Sequence, residues 1–241
     1  MWITLWTMLI THCSKKREQV DHRPETVPWK EEIGKMEEKK ISMAVSRRMP
    51  RYYRYVNELH QNGVARISSG ALAAKMGLKA SQVRQDFNCF GGFGQQRYGY
   101  NVENLRASIR EILKLDNNHT AVLIGAGNLG RALMTNFKFD QSGFQLTAAF
   151  DVRPELCGGH VAGVPVLDMQ ELESYVEQHQ PDIAILTLPR QAARDVADKL
   201  CSWGIRGIWN FTGADLHLDG IHVPVENVHF SESLMTLSYR I

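Results

Sequence analysis

The sequence predicts an α/β protein in two parts, and three observations predict it. From Thr120 onward, short apolar strands alternate with helical patterns. The central strands are nearly continuous apolar runs, as strands buried on both faces must be. Ahead of them, residues 44–106 carry ten Lys/Arg against three Asp/Glu, whereas residues 107–241 carry ten against sixteen. Near the end of the basic block lies "GGFGQQRYGYNV", a mixture of glycine and aromatics that suits a short two-stranded ribbon. A basic block joined to an acidic one points to a module for a polyanion attached to something else.

Composition narrows the class. With 241 residues, 44% apolar and 22% charged, the chain can build one large or two small domains with ample core. No apolar run approaches the ~20 residues that cross a bilayer, so no membrane partner is expected. Cys13, Cys89, Cys157 and Cys201 are scattered without a C-x-x-C pair. That argues against a metal site or disulfide framework and for a reducing cytoplasm. Residues 1–42 stand apart. "MWITLWTMLITHC" lacks the basic leading region of a signal peptide, and the charged stretch after it, with two prolines, reads as disorder. This segment is expected to be disordered, or an extension ahead of a start at Met43; a membrane anchor is the minor alternative.

The basic module reads as small helices and a ribbon. "PRYYRYVNELHQNG" places Pro50 at a helix start and Gly63 after its end. "SSGALAAKMG" opens on serine caps and closes at Gly77. "KASQVRQDFNCFGG" is a third helix, with Ser81 as its expected cap. The turn at Gly77-Leu78-Lys79 gives helix–turn–helix spacing. Leu78, Val83 and Phe87 point inward; Ser81, Gln82, Arg84 and Gln85 point outward, suited to base edges and phosphates in a major groove. Ser69 and Lys79 flank that face. The ribbon would follow as a wing, with Arg97 and Tyr98 near its tip. "NVENLRASIREILKL" is an amphipathic helix leading out.

Six strand candidates follow: "TAVLIG", "QLTAAFD", "VPVLD", "PDIAILTLP", "RGIWNF" and "GIHVPVENV". The first ends in Gly125-x-Gly127-x-x-Gly130 at the start of a helix. Gly125 would permit the tight turn, Gly127 the approach of a pyrophosphate, and Gly130 close helix–strand packing. Asp151, twenty-one residues beyond Gly130, ends the next strand. A carboxylate there accepts bonds from adenosine ribose hydroxyls and repels a 2′-phosphate, a preference that Arg153 softens. Strand, glycines, helix, strand and acid occur in order, so a dinucleotide site in a Rossmann-type domain is expected. The last segment, "HFSESLMTLSYRI", places Phe230, Leu234, Leu237 and Ile241 at helical spacing with no sheet left to follow.

With both halves read, residues 43–241 resemble the redox-sensing transcriptional repressors of the Rex family. The resemblance is carried by "YYRYVNELH", "ISSGALA", "SQVRQDF", "FGGFG…GYNVENLR", "LIGAGNLGRAL", "AAFDVRPELCG", "IAILTLPRQAARDVADKLCSWGIRGIWNFT" and "VPVENVHF". It implies a winged-helix DNA-binding domain over residues 43–117, a Rossmann NAD(H)-binding domain over 118–228, and a C-terminal helix over 229–241 swapped between the subunits of a homodimer. It also implies binding to an AT-rich inverted-repeat operator and release by NADH. By resemblance, Gly125, Ala126, Gly127, Asn128 and Leu129 hold the pyrophosphate and Asp151 the adenosine ribose. Thr187 and Pro189 line the nicotinamide side, and Phe230 arrives from the partner. Arg54 couples the domains. Three positions depart from the family: Asn136 stands where a tyrosine is frequent, His229 where an aspartate is frequent, and Gln95-Gln96 where Lys-Arg is frequent.

The expected role is sensing rather than catalysis. A dehydrogenase needs a substrate domain and a positioned acid or base, yet only about a dozen residues follow the last strand. His160, His179, His217, His222 and His229 are single, with no acid at motif spacing. The competing readings are an NAD(P)-dependent oxidoreductase with an accessory basic domain, and a CoA- or nucleotide-binding interaction module.

Overall fold

The computed structural model describes residues 42–91, 99–216, 218 and 223–241. The expectations for residues 1–41, for Arg97 and Tyr98, and for His217 and His222 lie outside the described residues. The chain forms two compact units that divide between Arg106 and Ala107.

In the first unit, α1 spans Met43–Gln61 and starts at Ser42, whose hydroxyl accepts the Val45 N–H at 3.4 Å. Pro50 is therefore inside the helix rather than at its start. Val45, Met49, Tyr52 and Val56 make one buried stripe that runs straight past the proline. Burial of that stripe outweighs the single backbone bond that proline removes. A two-residue strand, β1 (Arg66–Ile67), precedes α2 (Ser69–Met76). As read from sequence, Ser68 caps α2 through the Ala71 N–H at 3.1 Å, and Gly77 closes it at φ +66°.

Next comes α3 (Ala80–Asn88), which begins two residues earlier than a Ser81 cap allows. The Lys79 carbonyl already accepts from the Gln82 and Val83 N–H groups, so the helical ladder begins there and Ser81 lies in the first turn. β2 (Tyr100–Asn101) pairs antiparallel with β1 and leads into α4 (Val102–Ile112). The rings of Tyr52, Phe87 and Tyr100 pack in sequence, the first pair tilted and the second edge to face, with 4.8 and 5.2 Å between successive centroids.

The second unit is a seven-stranded sheet. Its strands are β3 (His119–Ile124), β4 (Phe144–Asp151), β5 (His160–Val161), β6 (Val164–Asp168), β7 (Ile183–Leu186), β8 (Gly207–Asn210) and β9 (Val225–Asn227), in the order β5-β6-β4-β3-β7-β8-β9. Omitting β5 leaves the order of a doubly wound dinucleotide-binding sheet, all parallel, with its reversal between β3 and β7. Helices α5 (Asn128–Asn136), α6 (Leu172–His179) and α7 (Arg190–Ser202) connect the strands.

Successive residues of β3 enter opposite cores. Ala121 and Leu123 pack with Met134 and Phe139, while Val122 and Ile124 pack with Leu172, Val176 and Ala197. The sheet is not purely parallel, because β5 runs antiparallel to β6. Their connection is the two-residue turn Ala162-Gly163, both at positive φ, a hairpin geometry that Ala-Gly announces far less strongly than Asn-Gly. The chain ends in α8 (Phe230–Ser238), none of whose residues is buried.

Candidate functional site

Only three polar or charged side chains are buried among the described residues: Asp86, Asp151 and Asn210. Burying such groups is costly unless they are bonded, so each marks a place where structure is fixed for a reason.

Asp151 ends β4 beside the glycine loop. Arg153 donates to it through Nε at 2.9 Å, Nη2 at 3.0 Å and its backbone N–H at 3.0 Å. The Arg153 guanidinium beside Asp151 holds the carboxyl below the usual carboxylate range, against the upward push of burial and with help from the Arg153 and Ala126 backbone N–H groups. A cleft of about 620 Å³ opens here, at the carboxyl ends of β3, β4 and β7 where the strand order reverses. Gly125, Gly127, Asp151, Arg153, Thr187 and Pro189 line its polar side; Met169, Ala192 and Val196 line its apolar side.

The loop geometry follows the glycine reading. Gly125 takes φ +101°, and a Cβ there would meet the Thr187 carbonyl oxygen at 2.8 Å. A Cβ on Gly130 would strike the Gly125 carbonyl oxygen. Gly127 is different: its Cβ position meets only Arg153 Nη2, at 3.6 Å, so hydrogen at this position keeps the cleft open. Gly127 is also the N-cap of α5 and makes no side-chain cap bond. The Asn128, Leu129 and Gly130 N–H groups thus stand at a helix terminus with no side chain capping it, where an anion is favoured. Open glycine floor, uncapped helix and buried carboxylate fit the phosphates and ribose of a dinucleotide.

The remaining sequence-selected residues separate. The Thr187 hydroxyl donates to the Gly125 carbonyl at 2.7 Å, so it braces the loop as well as lining the cleft. Ala126 is buried, and Pro189 is the N-cap of α7. Phe230 is exposed, its ring 6.2 Å from that of Phe211. His229 Nε2 lies 3.2 Å from Asp215 Oδ1, a partner fourteen residues away that no motif spacing would find. Asn136 donates back to the Ala132 carbonyl at 3.0 Å, and the Arg54 guanidinium sits 5.1 Å from the Tyr55 ring centre. Asn210, missed in the sequence, ties Ala214, Asn227 and Thr212 together at the ends of β8 and β9.

On the helix–turn–helix, Ser81, Arg84 and Gln85 are exposed on α3, as is Asn88, which sequence reasoning passed over. Lys79 is exposed at the turn. Arg84 Nη1 donates to Ser69 Oγ at 3.1 Å, so two expected contact residues hold each other. Gln82 is half-buried and donates to Asp86 at 2.8 Å. Arg51, also unforeseen, donates to the Met76 carbonyl at 3.3 Å beside the turn.

Two family models match. "Putative DNA-binding protein N-terminus" covers residues 40–88, and "CoA binding domain" covers residues 116–214. The redox-sensing transcriptional repressor Rex of Clostridium beijerinckii is 52% identical over 201 residues, which are 83% of this chain and 95% of the relative. A crystal structure of RSP in complex with β-NAD⁺ and operator DNA is 50% identical, with TM-score 0.78 over 83% of this chain and 92% of that one. RSP with β-NADH is 46% identical, with TM-score 0.77 over 83% and 94%; RSP is itself described as a Rex-family repressor. At that identity over that share of both chains, this protein belongs to the Rex family of redox-sensing transcriptional repressors.

Proposed function

We propose that this chain binds operator DNA as a cytoplasmic homodimer, holds NAD(H) in the cleft of its second unit, and releases DNA when NADH rises. The cleft carries the reading, with its uncapped helix terminus, open Gly127 floor and buried Asp151. The ionisable side chains lining it among the described residues, Asp151 and Arg153, are bonded to each other. That pairing supports a ligand-reading role over hydride chemistry. Solved relatives bound to NAD⁺ with operator DNA, and to NADH, support the same assignment.

In this reading residues 43–117 hold the DNA through Ser69, Lys79, Ser81, Arg84 and Gln85, and residues 118–228 hold the cofactor. Residues 229–241 bring Phe230 of one subunit to the nicotinamide of the other. NAD⁺ and NADH differ only at that ring, planar and cationic in one, neutral and puckered in the other. A ligand shifts a two-state protein only through differential affinity, so discrimination arises there and passes to DNA through Arg54, Asn136 and His229. Titrating an AT-rich inverted-repeat duplex with NAD⁺ and NADH added separately tests this. NADH should weaken binding by roughly 5–150-fold, the usual span of allosteric coupling, and NAD⁺ should not. Equal effects of the two would defeat the proposal.

The Asp151–Arg153 pair sets a second expectation. Asp151→Asn removes a charged ribose acceptor and frees Arg153 to meet a 2′-phosphate. NADH affinity should fall roughly tenfold while NADPH affinity rises, both read by calorimetry. An unchanged NADH to NADPH ratio would show that the pair does not govern cofactor choice.

A further inference from the structure

Asp86 is the most buried charge among the described residues of the first unit, at 0% exposure, and nothing in the cofactor reading uses it. Its carboxylate takes four hydrogen bonds. Oδ2 accepts from Arg48 Nε at 2.7 Å and from the Tyr52 hydroxyl at 2.7 Å; Oδ1 accepts from Arg48 Nη2 at 2.8 Å and from Gln82 Nε2 at 2.8 Å. Four donors saturate the lone-pair sites of a carboxylate. Arg48 and Tyr52 come from α1, Gln82 and Asp86 from α3. The planar Arg48 fork fixes distance and angle together, which a single bond would not.

We propose that Asp86 is a positioning residue for operator reading: it sets the roll of α3 and withholds Gln82 from the bases, leaving Arg84 and Gln85 as the side chains that read. The proposal rests on the DNA-binding reading above. A glutamine reads adenine with both ends of its amide, the N–H₂ to N7 and the oxygen from N6. One of the two N–H donors of Gln82 is committed to Asp86 and the residue is half-buried, so its amide is held against the bracket rather than free to turn both ends to an adenine. Arg84 has the opposite standing. It is exposed, spends one of five donors on Ser69, and keeps a free fork edge for the O6 and N7 of a guanine. Burial alone would push the Asp86 carboxyl up, but the bonds from Arg48, Gln82 and Tyr52 and the Arg48 charge outweigh it and hold the group below the usual range. The bracket thus stays ionised wherever the protein works.

The test uses the full chain with saturating NAD⁺ and three kinds of duplex: the inverted repeat, a scrambled sequence of equal composition, and a set with each half-site base pair changed in turn. Wild type must first prefer the repeat over the scramble; if it does not, the DNA reading itself fails, separately from this proposal. Given that preference, Gln82→Ala should leave the pattern of single-base penalties unchanged, whereas Arg84→Ala should erase the penalty at one position. Asp86→Asn keeps the shape but turns a donor toward donors. It should cut the preference for the repeat over the scramble by about tenfold, with binding to the scramble within about twofold of wild type. Arg48→Lys, which keeps the charge and loses the fork, should give an intermediate loss and stands in if Asp86→Asn does not fold. Loss of one base-pair penalty in Gln82→Ala would overturn the proposal, because Gln82 would then be a reader. So would an equal fall on both duplexes in Asp86→Asn and Arg48→Lys, which marks lost fold rather than lost positioning.

Discussion

Ending the chain before Ser231 is expected to convert a dimer into monomers and to lower operator affinity by more than about 100-fold. Helix α8 exposes Phe230 at 62%, Leu234 at 68%, Met235 at 63% and Leu237 at 56%, with Tyr239 and Ile241 beyond it almost bare. Burying one such side chain is worth about 1.5–3 kcal/mol, and a twofold dimer buries each of them twice. A contiguous apolar patch of this kind on a water-facing helix marks an interface. A second copy is the occupant that the proposed reading of an inverted repeat calls for, because a twofold site is matched by a twofold protein. A monomer grips one half-site and forfeits the effective concentration that joins the two. Light scattering gives the mass and an anisotropy titration gives the affinity. A truncated chain that keeps the wild-type mass and operator affinity would remove the swapped helix from the account. Aggregation would support it, since the surface that receives α8 would be left open.

What the sequence made legible was local. The glycine loop could be read because each of its requirements lies within one strand–helix–strand unit: Gly125 for its positive φ, Gly130 for the approach to Gly125, and Asp151 at the end of the second strand. The helix–turn–helix could be read for the same reason, through Ser68 and Gly77. What was missed depended on distant partners. Asp86 follows Val83 and precedes Phe87, so helical periodicity already places it inward. Its partners Arg48 and Tyr52, however, lie thirty-eight and thirty-four residues back. Gln82 looked outward by spacing and is turned by that same carboxylate. Pro50 misled because a local rule about proline met a buried stripe that crosses it. The β5–β6 hairpin escaped because two-residue strands carry no periodicity.

Gly130→Ala should disable the cofactor cleft, while Gly127→Ala separates folding from binding. A methyl on Gly130 lands on the Gly125 carbonyl oxygen, with Thr187 Oγ1 at 3.0 Å and Leu123 Cδ2 at 3.1 Å on its other sides. Gly125 cannot retreat, because its own Cβ side faces the Thr187 carbonyl and its oxygen accepts the Thr187 hydroxyl. Loop, α5 and the end of β7 are interlocked, so the methyl must lift α5 off β3. Overpacking of this kind costs about 1–3 kcal/mol, and Tm should fall by several degrees. Lifting α5 also moves its free N–H groups away from the pyrophosphate. Bonds to a charged group are worth about 1.5–3 kcal/mol each, so losing two should weaken NADH by roughly 100-fold or more. The methyl of Gly127→Ala meets nothing closer than Arg153 Nη2 at 3.6 Å, and the fold should melt near the wild-type temperature. That methyl nonetheless occupies the cleft floor, so NADH should still bind poorly. Both variants should stay on operator DNA at NADH concentrations that release wild type. If Gly130→Ala binds NADH with wild-type affinity and melts with wild type, the loop does not hold the phosphates and the cofactor assignment falls with it.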